Sequence, residues 1–151
     1  MAILFNLVIL WAFYKGLGEF RKNVSSNLLE RVGIYLTFTL LLLSTLTFLI
    51  ATFLEPGYLK PNYEFTWLVD KFLDSGVHLD NLCVFCEVIK SETSFHCTIC
   101  NKCVEMYDHH CPFINSCLGT RNHKWFMIFI TSYFLFIVGV LAGTITHLIR
   151  M

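Results

Sequence analysis

Neither charge is in surplus in this chain: eleven basic side chains stand against eleven acidic ones among 151 residues. A nucleic-acid binder carries a basic surplus, so nothing in the composition points to that class. Charge of either sign is scarce at 15%, while hydrophobic residues reach 56%, above the roughly 45–50% of an ordinary soluble domain. No basic residue precedes Lys15, which argues against a secretory signal peptide with its basic n-region and small-residue cleavage site. No internal repeat and no low-complexity tract is expected.

The apolar residues are concentrated. Ile34 to Leu54 runs without a charge for twenty-one residues, and Trp125 to Ile149 for twenty-five. A spanning helix needs about 20 apolar residues to cross about 30 Å of hydrocarbon, so residues 34–54 and 125–149 are predicted to span a membrane. Hydroxyls inside them can return to the helix backbone. Residues 1–14 are too short to span by the same measure, and read as a short or partial first transmembrane helix, joined to the next by a polar loop, 15–33. Residues 55–124 form a polar region. Glu55-Pro56-Gly57 ends the preceding helix, since proline cannot continue it and glycine suits the turn.

Within that polar region, apolar residues at 65, 68, 69, 72 and 73 have helical spacing. A short helix there either packs on its own domain or lies in a membrane interface, where Trp67 is favoured. Basic residues do not decide the orientation. Lys15, Arg21, Lys22 and Arg31 on one side balance Lys60, Lys71, Arg121 and Lys124 on the other.

All seven cysteines lie between Cys83 and Cys117, in the order Cys83-x2-Cys86-x9-His96-Cys97-x2-Cys100-x2-Cys103-x4-Asp108-His109-His110-Cys111-x5-Cys117. A disulfide framework prefers an even count and a secreted context. Cys-x2-Cys steps with interspersed histidines fit tetrahedral zinc instead. Two closed sites need eight donors, and six cysteines with His96 and His110 supply them once Cys111 is set aside. Spacing leaves open which donors share an ion, because Cys97, Cys100 and Cys103 offer two competing pairs. It also leaves open whether Cys111 is a ligand of a differently partitioned site. The local set of Asp108, His109 and Cys111 has the make-up of orienter, base and nucleophile.

These residues resemble the cysteine-rich domain of the DHHC protein S-acyltransferases, or palmitoyltransferases. The pattern C-x2-C-x9-H-C-x2-C-x2-C-x4-D-H-H-C-x5-C-x4-N-x3-F is matched throughout, ending at Asn122 and Phe126. Pro112 and Gly119 also fit, and Glu55-Pro56-Gly57 resembles the family's Asp-Pro-Gly. The resemblance implies one zinc on Cys83, Cys86, His96 and Cys103, and another on Cys97, Cys100, His110 and Cys117. It implies Asp108, His109 and Cys111 as the catalytic set. A mainly helical membrane protein follows, with two to three transmembrane helices and a small cytosolic zinc-stabilised domain (83–126) between the last two.

The activity so implied is two-step transfer of a long-chain acyl group from acyl-CoA to Cys111, then to a cysteine of a membrane-associated protein substrate. The setting would be an endomembrane (Golgi or ER) or the plasma membrane. Thr47, Ser132 and Tyr133 are candidates for lining an acyl cavity or are ordinary helix residues, and His147 is expected at the far interface. Departures are Phe113 for the family's tryptophan, Glu55 for its aspartate, and no proline or arginine between Ser91 and Phe95. The family's fourth helix, Thr-Thr-x-Glu motif and C-terminal aromatic segment do not occur in the 151 residues. The alternative expectation is therefore a catalytically inactive zinc-bound membrane module acting through protein–protein contacts.

Overall fold

The structure, a computed structural model, describes residues 28–75 and 81–150 together with Leu4, Val8, Trp11, Tyr14 and Lys15. Those five are helical and exposed. The remainder of the 1–14 segment and residues 16–27 of the polar loop lie outside the described residues. The elements are α1 (Leu28–Phe53), α2 (Phe65–Ser75), β1 (Leu82–Cys83), β2 (Val88–Ile89), β3 (Phe95–Cys97), β4 (Lys102–Val104), β5 (His110–Cys111), β6 (Ser116–Cys117) and α3 (His123–Arg150). They fall into a helical unit, residues 1–50 with 125–151, and a cysteine-rich unit, residues 51–124.

Both long helices meet the length and composition of a membrane span, with mean hydropathies of 2.1 and 2.3. A core helix of a soluble protein would be mostly buried, yet only 28% and 17% of their most apolar stretches are. Exposed Leu42, Leu46, Phe134 and Leu141 therefore call for an apolar solvent rather than water. α1 begins at Leu28, six residues before the uncharged run at Ile34. Leu28 and Leu29 favour helix and Glu30 complements the N-terminal dipole, so the helix continues past the apolar run.

In the helical unit, the buried stripe of α1 is Leu41, Ser44, Thr47 and Phe48, and that of α3 is Phe129, Ser132 and Phe136. The spacing of three and four residues puts each set on one helix face. Phe48 and Phe129 meet with ring centroids 5.2 Å apart. A Cβ on Gly139 would lie 2.9 Å from Thr37 Oγ1, so the missing side chain lets the two backbones approach closely, as small residues do in membranes. The buried hydroxyls donate within their own helices: Ser44 to Leu41 O, Thr47 to Leu43 O, and Ser132 to Ile128 O. Tyr133 lies against Phe129 and Phe136, and His147 is exposed near the end of α3.

The cysteine-rich unit is built from three antiparallel hairpins: β1–β2, β3–β4 and β5–β6. Their registers coincide: Leu82 faces Ile89, His96 faces Cys103, and His110 faces Cys117. Each step along the chain is fourteen residues. At the same phase, Glu87, Asn101 and Asn115 take φ of 53°, 51° and 51°, the left-handed turn that lets each strand double back. The expectation of a chain without repeats is thus corrected. One cysteine recurs in all three hairpins (Cys83, Cys97, Cys111), while the turn residue is Glu once and Asn twice and the histidine and closing cysteine occur only in the last two, so the repeat is one of backbone conformation and escapes a search for similar letters.

A strap precedes the hairpins. Leu59 N–H donates to Cys103 O and Glu105 N–H to Gly57 O, both at 2.9 Å, so the segment after α1 runs alongside β4. Gly57 has φ of 107°, which a side chain would strain. Gly119 lies under the strap, where a Cβ would meet Pro56 O and Val104 Cγ1 at 2.6 Å. Asn62 then starts α2, its Oδ1 accepting from Glu64 N–H at 3.0 Å. Phe65 of that helix is buried while Trp67 stays exposed, with the Lys71 ammonium 4.8 Å from its ring centroid.

Candidate functional site

The turn of each hairpin decides what its first cysteine can do. In the first two, Cys83 and Cys97 are followed three residues later by Cys86 and Cys100, and both sulfurs of each pair sit at one turn. In the third, Cys111 occupies the same phase but Ile114 replaces the second sulfur, with its side chain 2% exposed. The third turn therefore packs apolar atoms where the others present a second donor.

Two donor groups result, each drawn from adjacent hairpins: Cys83 and Cys86 with His96 and Cys103, and Cys97 and Cys100 with His110 and Cys117. Within each group the ligand atoms lie within 4.8 Å of one another. His96 Nδ1 stands 3.5, 3.2 and 3.8 Å from the sulfurs of Cys83, Cys86 and Cys103. His110 Nδ1 stands 3.8, 3.3 and 3.6 Å from those of Cys97, Cys100 and Cys117. One ring nitrogen has one proton or one lone pair, so hydrogen bonding explains at most one contact in each trio. A tetrahedral ion with metal–sulfur bonds near 2.3 Å and metal–nitrogen bonds near 2.0 Å requires nitrogen–sulfur edges of about 3.5 Å, and all six distances cluster there. Both groups can hold a metal ion.

Electrostatics point the same way. Burial, followed by the adjacent Cys83 and Cys86 sulfurs, pushes the Cys103 thiol well up. Burial, followed by Cys100 and Cys97, does the same to Cys117. Three crowded thiols cannot all ionise unaided, whereas a bound cation deprotonates a coordinating thiol outright. Burial first, and then a hydrogen bond to Cys100, pushes the Tyr58 phenol up to about 12, which leaves it a neutral donor beside that sulfur. Lys102 Nζ lies 4.5 Å from the Tyr58 ring centroid, and Cys100 N–H points at Cys97 Sγ at 3.5 Å. Such outer contacts orient metal ligands.

Cys111 belongs to neither group. Its side chain is 7% exposed, and it pairs with Ser116 across the third hairpin. All seven cysteines are outside disulfides. Asp108 Oδ2 lies 3.4 Å from His109 Nδ1, with both side chains about half exposed. Backbone bonds fix that pair: Asp108 N–H donates to Leu118 O at 3.0 Å and Leu118 N–H to His109 O at 2.8 Å. A carboxylate beside one ring nitrogen fixes the ring's tautomer and orientation.

Two residues add to the sequence-based set. Asn122 is fully buried; its Nδ2 donates to Ala51 O at 3.2 Å and Cys117 O at 2.9 Å, and its Oδ1 accepts from Gly119 N–H at 3.0 Å. It thereby satisfies a carbonyl in the last turn of α1, where helices leave such groups orphaned, and ties it to β6. His123, at the head of α3, places Nε2 3.4 Å from the same Asp108 Oδ2. No sequence reading pointed to His123, which opens α3 outside the three hairpins.

Two apolar helices long enough to span a membrane, with a cysteine-rich domain of paired metal-binding groups between them, define the class. The comparisons narrow it. A family model described as DHHC palmitoyltransferase matches residues 77–151. The palmitoyltransferase ZDHHC14 of Mus musculus is 40% identical over 68 residues, covering 45% of this chain and 14% of that protein. The palmitoyltransferase akr1 of Schizosaccharomyces pombe is 34% identical over 85 residues, or 52% of this chain and 13% of that one. The palmitoyltransferase ZDHHC9 of Bos taurus is 39% identical over 65 residues, 43% and 18% respectively. The chain thus spans less than a fifth of the length of these relatives. Residues 77–151 belong to the DHHC palmitoyltransferase family.

Proposed function

We propose that this chain carries the acyl-accepting site of a protein S-acyltransferase, with Cys111 as nucleophile, His109 as the proton-handling base and Asp108 as its orienter. The observation that carries the reading is the exclusion of Cys111 from both donor groups. In the first step the Cys111 thiolate attacks the carbonyl carbon of a long-chain acyl-CoA such as palmitoyl-CoA. A carbon–sulfur bond forms to Cys111, the bond to CoA breaks, and CoA leaves as a thiolate that takes up a proton. In the second step a cysteine thiolate of a membrane-associated protein attacks the acyl-enzyme and restores Cys111. One thioester replaces another in each step, so positioning and proton control are what the protein supplies.

Zinc is the ion whose chemistry suits two all-protein Cys3His groups. All four positions of each site are filled by side chains, so the ions would stabilise the hairpins and leave no open position for a catalytic role. Their part is to hold β5, which carries His110 beside Cys111. Free thiols favour a reducing compartment, which supports a cytosolic placement of the domain on an endomembrane or the plasma membrane. Attachment to lipid serves the reaction, because a sixteen-carbon chain gains about 12 kcal/mol by staying buried.

The test is incubation of the purified chain in lipid with labelled palmitoyl-CoA. A hydroxylamine-labile label on the wild type, and none on Cys111→Ser, is expected. A folded, metal-loaded wild type that takes up no label refutes the assignment and leaves a membrane module that acts by contact.

A further inference from the structure

Asp108 is held from two sides. Its Oδ2 is 3.4 Å from His109 Nδ1 and also 3.4 Å from His123 Nε2. Both backbones are bonded to the same short segment: Asp108 N–H donates to Leu118 O, and His123 N–H to Gly119 O at 3.1 Å. His109 leads into β5 and His123 opens α3, so two different elements each aim a ring at one carboxylate oxygen. A half-exposed aspartate with a single partner can leave it by rotating into water. A second ring nitrogen 3.4 Å from the same oxygen, within reach of a hydrogen bond on a small ring rotation, opposes that movement.

We propose that His123 is a positioning residue for the acyl-transfer site: Nε2–H of His123 holds the Asp108 carboxylate in the rotamer that orients the ring of His109. The inference rests on the acyltransferase reading and adds to it a group that never touches substrate. Neutral His123 in the Nε2–H tautomer suffices, since the task is donation of one hydrogen bond. Its place at the head of α3 is apt, because backbone N–H groups at a helix N-terminus also favour a nearby carboxylate. Misplacing a reacting group by about 1 Å can cost on the order of 10²-fold in rate, so a lost orienter shows in the chemical step rather than in acyl-CoA binding.

The experiment is single-turnover acylation of Cys111 by palmitoyl-CoA in lipid nanodiscs, comparing wild type, His123→Phe and His123→Gln. Each is also made on an Asp108→Ala background, and metal per chain is measured throughout. Phenylalanine keeps the ring and removes the donor; glutamine places an amide N–H near the position of Nε2. The expected result is a fall of about 10-fold or more for His123→Phe with half-saturating palmitoyl-CoA unchanged. Recovery to within about 3-fold is expected for His123→Gln, with no further loss from either substitution on the Asp108→Ala background. A His123→Phe rate within 2-fold of wild type overturns the proposal and leaves the acyltransferase reading standing. So does equal loss in both variants, additive loss on the Asp108→Ala background, or loss of metal in His123→Phe. A wild type that is never acylated sinks both readings together.

Discussion

Cys97 and Cys111 occupy equivalent positions one repeat apart, and exchanging each for serine in turn separates ligand from nucleophile. Cys97 is one of four donors in the second group, whose other members include His110 and Cys117 on β5 and β6. A structural zinc contributes about 10–16 kcal/mol in small peptides at neutral pH. A quarter to a third of that, on the order of 4 kcal/mol, is a large share of the roughly 5–15 kcal/mol that holds a whole domain. Cys97→Ser is therefore expected to drop the second ion, loosen the hairpin carrying Cys111, and slow acylation by an order of magnitude or more. Cys111→Ser removes no donor, so it is expected to keep the wild-type metal content while losing every trace of label. Metal per chain by inductively coupled plasma mass spectrometry, alongside label uptake, reads both outcomes. A Cys111→Ser protein holding one ion fewer than wild type, or a Cys97→Ser protein holding as many, would refute the partition of donors and the mechanism built on it.

Further outcomes follow from the same geometry. Ile114→Cys restores the second sulfur of the third turn, and on addition of excess zinc Cys111 should lose its uptake of labelled palmitate; an unchanged rate would show that the turn cannot grip an ion. Asn122→Ala removes the side-chain donor to Ala51 O and Cys117 O and the acceptor of Gly119 N–H. At about 1–3 kcal/mol per buried unsatisfied group, and with water entering the space, a loss of about 3 kcal/mol is expected in chemical denaturation followed by metal release. Gly119→Ala forces a Cβ to within 2.6 Å of a backbone oxygen and should destabilise the strap over β4 by an overpacking cost of about 1–3 kcal/mol. In the metal-free fold Cys103 and Cys117 hold their protons more tightly than ordinary thiols. Metal binding must expel those protons, so metal should be released as pH falls, with proton release on rebinding detectable by a pH indicator.

The sequence by itself determined the chemistry available: two long apolar runs with nowhere to go but lipid, and seven cysteines and three histidines clustered between positions 83 and 117. These are properties of composition and local spacing. A Cys-x2-Cys step fits a single turn, and twenty or more uncharged residues fit a bilayer, whatever the rest of the chain does. The position of Asn122 was legible only as a motif letter, because its three partners come from α1, β6 and the loop after it.

Tertiary structure decided how the donors are shared. Cys97, Cys100 and Cys103 offered competing pairs along the chain, and the hairpin register resolves them by sending Cys103 back to the first turn while Cys97 and Cys100 reach forward to the third hairpin. It likewise decided that Asp108 meets His123, fifteen residues away in sequence. Strand pairing within each hairpin and turn handedness set which side chains of neighbouring hairpins converge, and that convergence is a property of the folded backbone that no local spacing encodes.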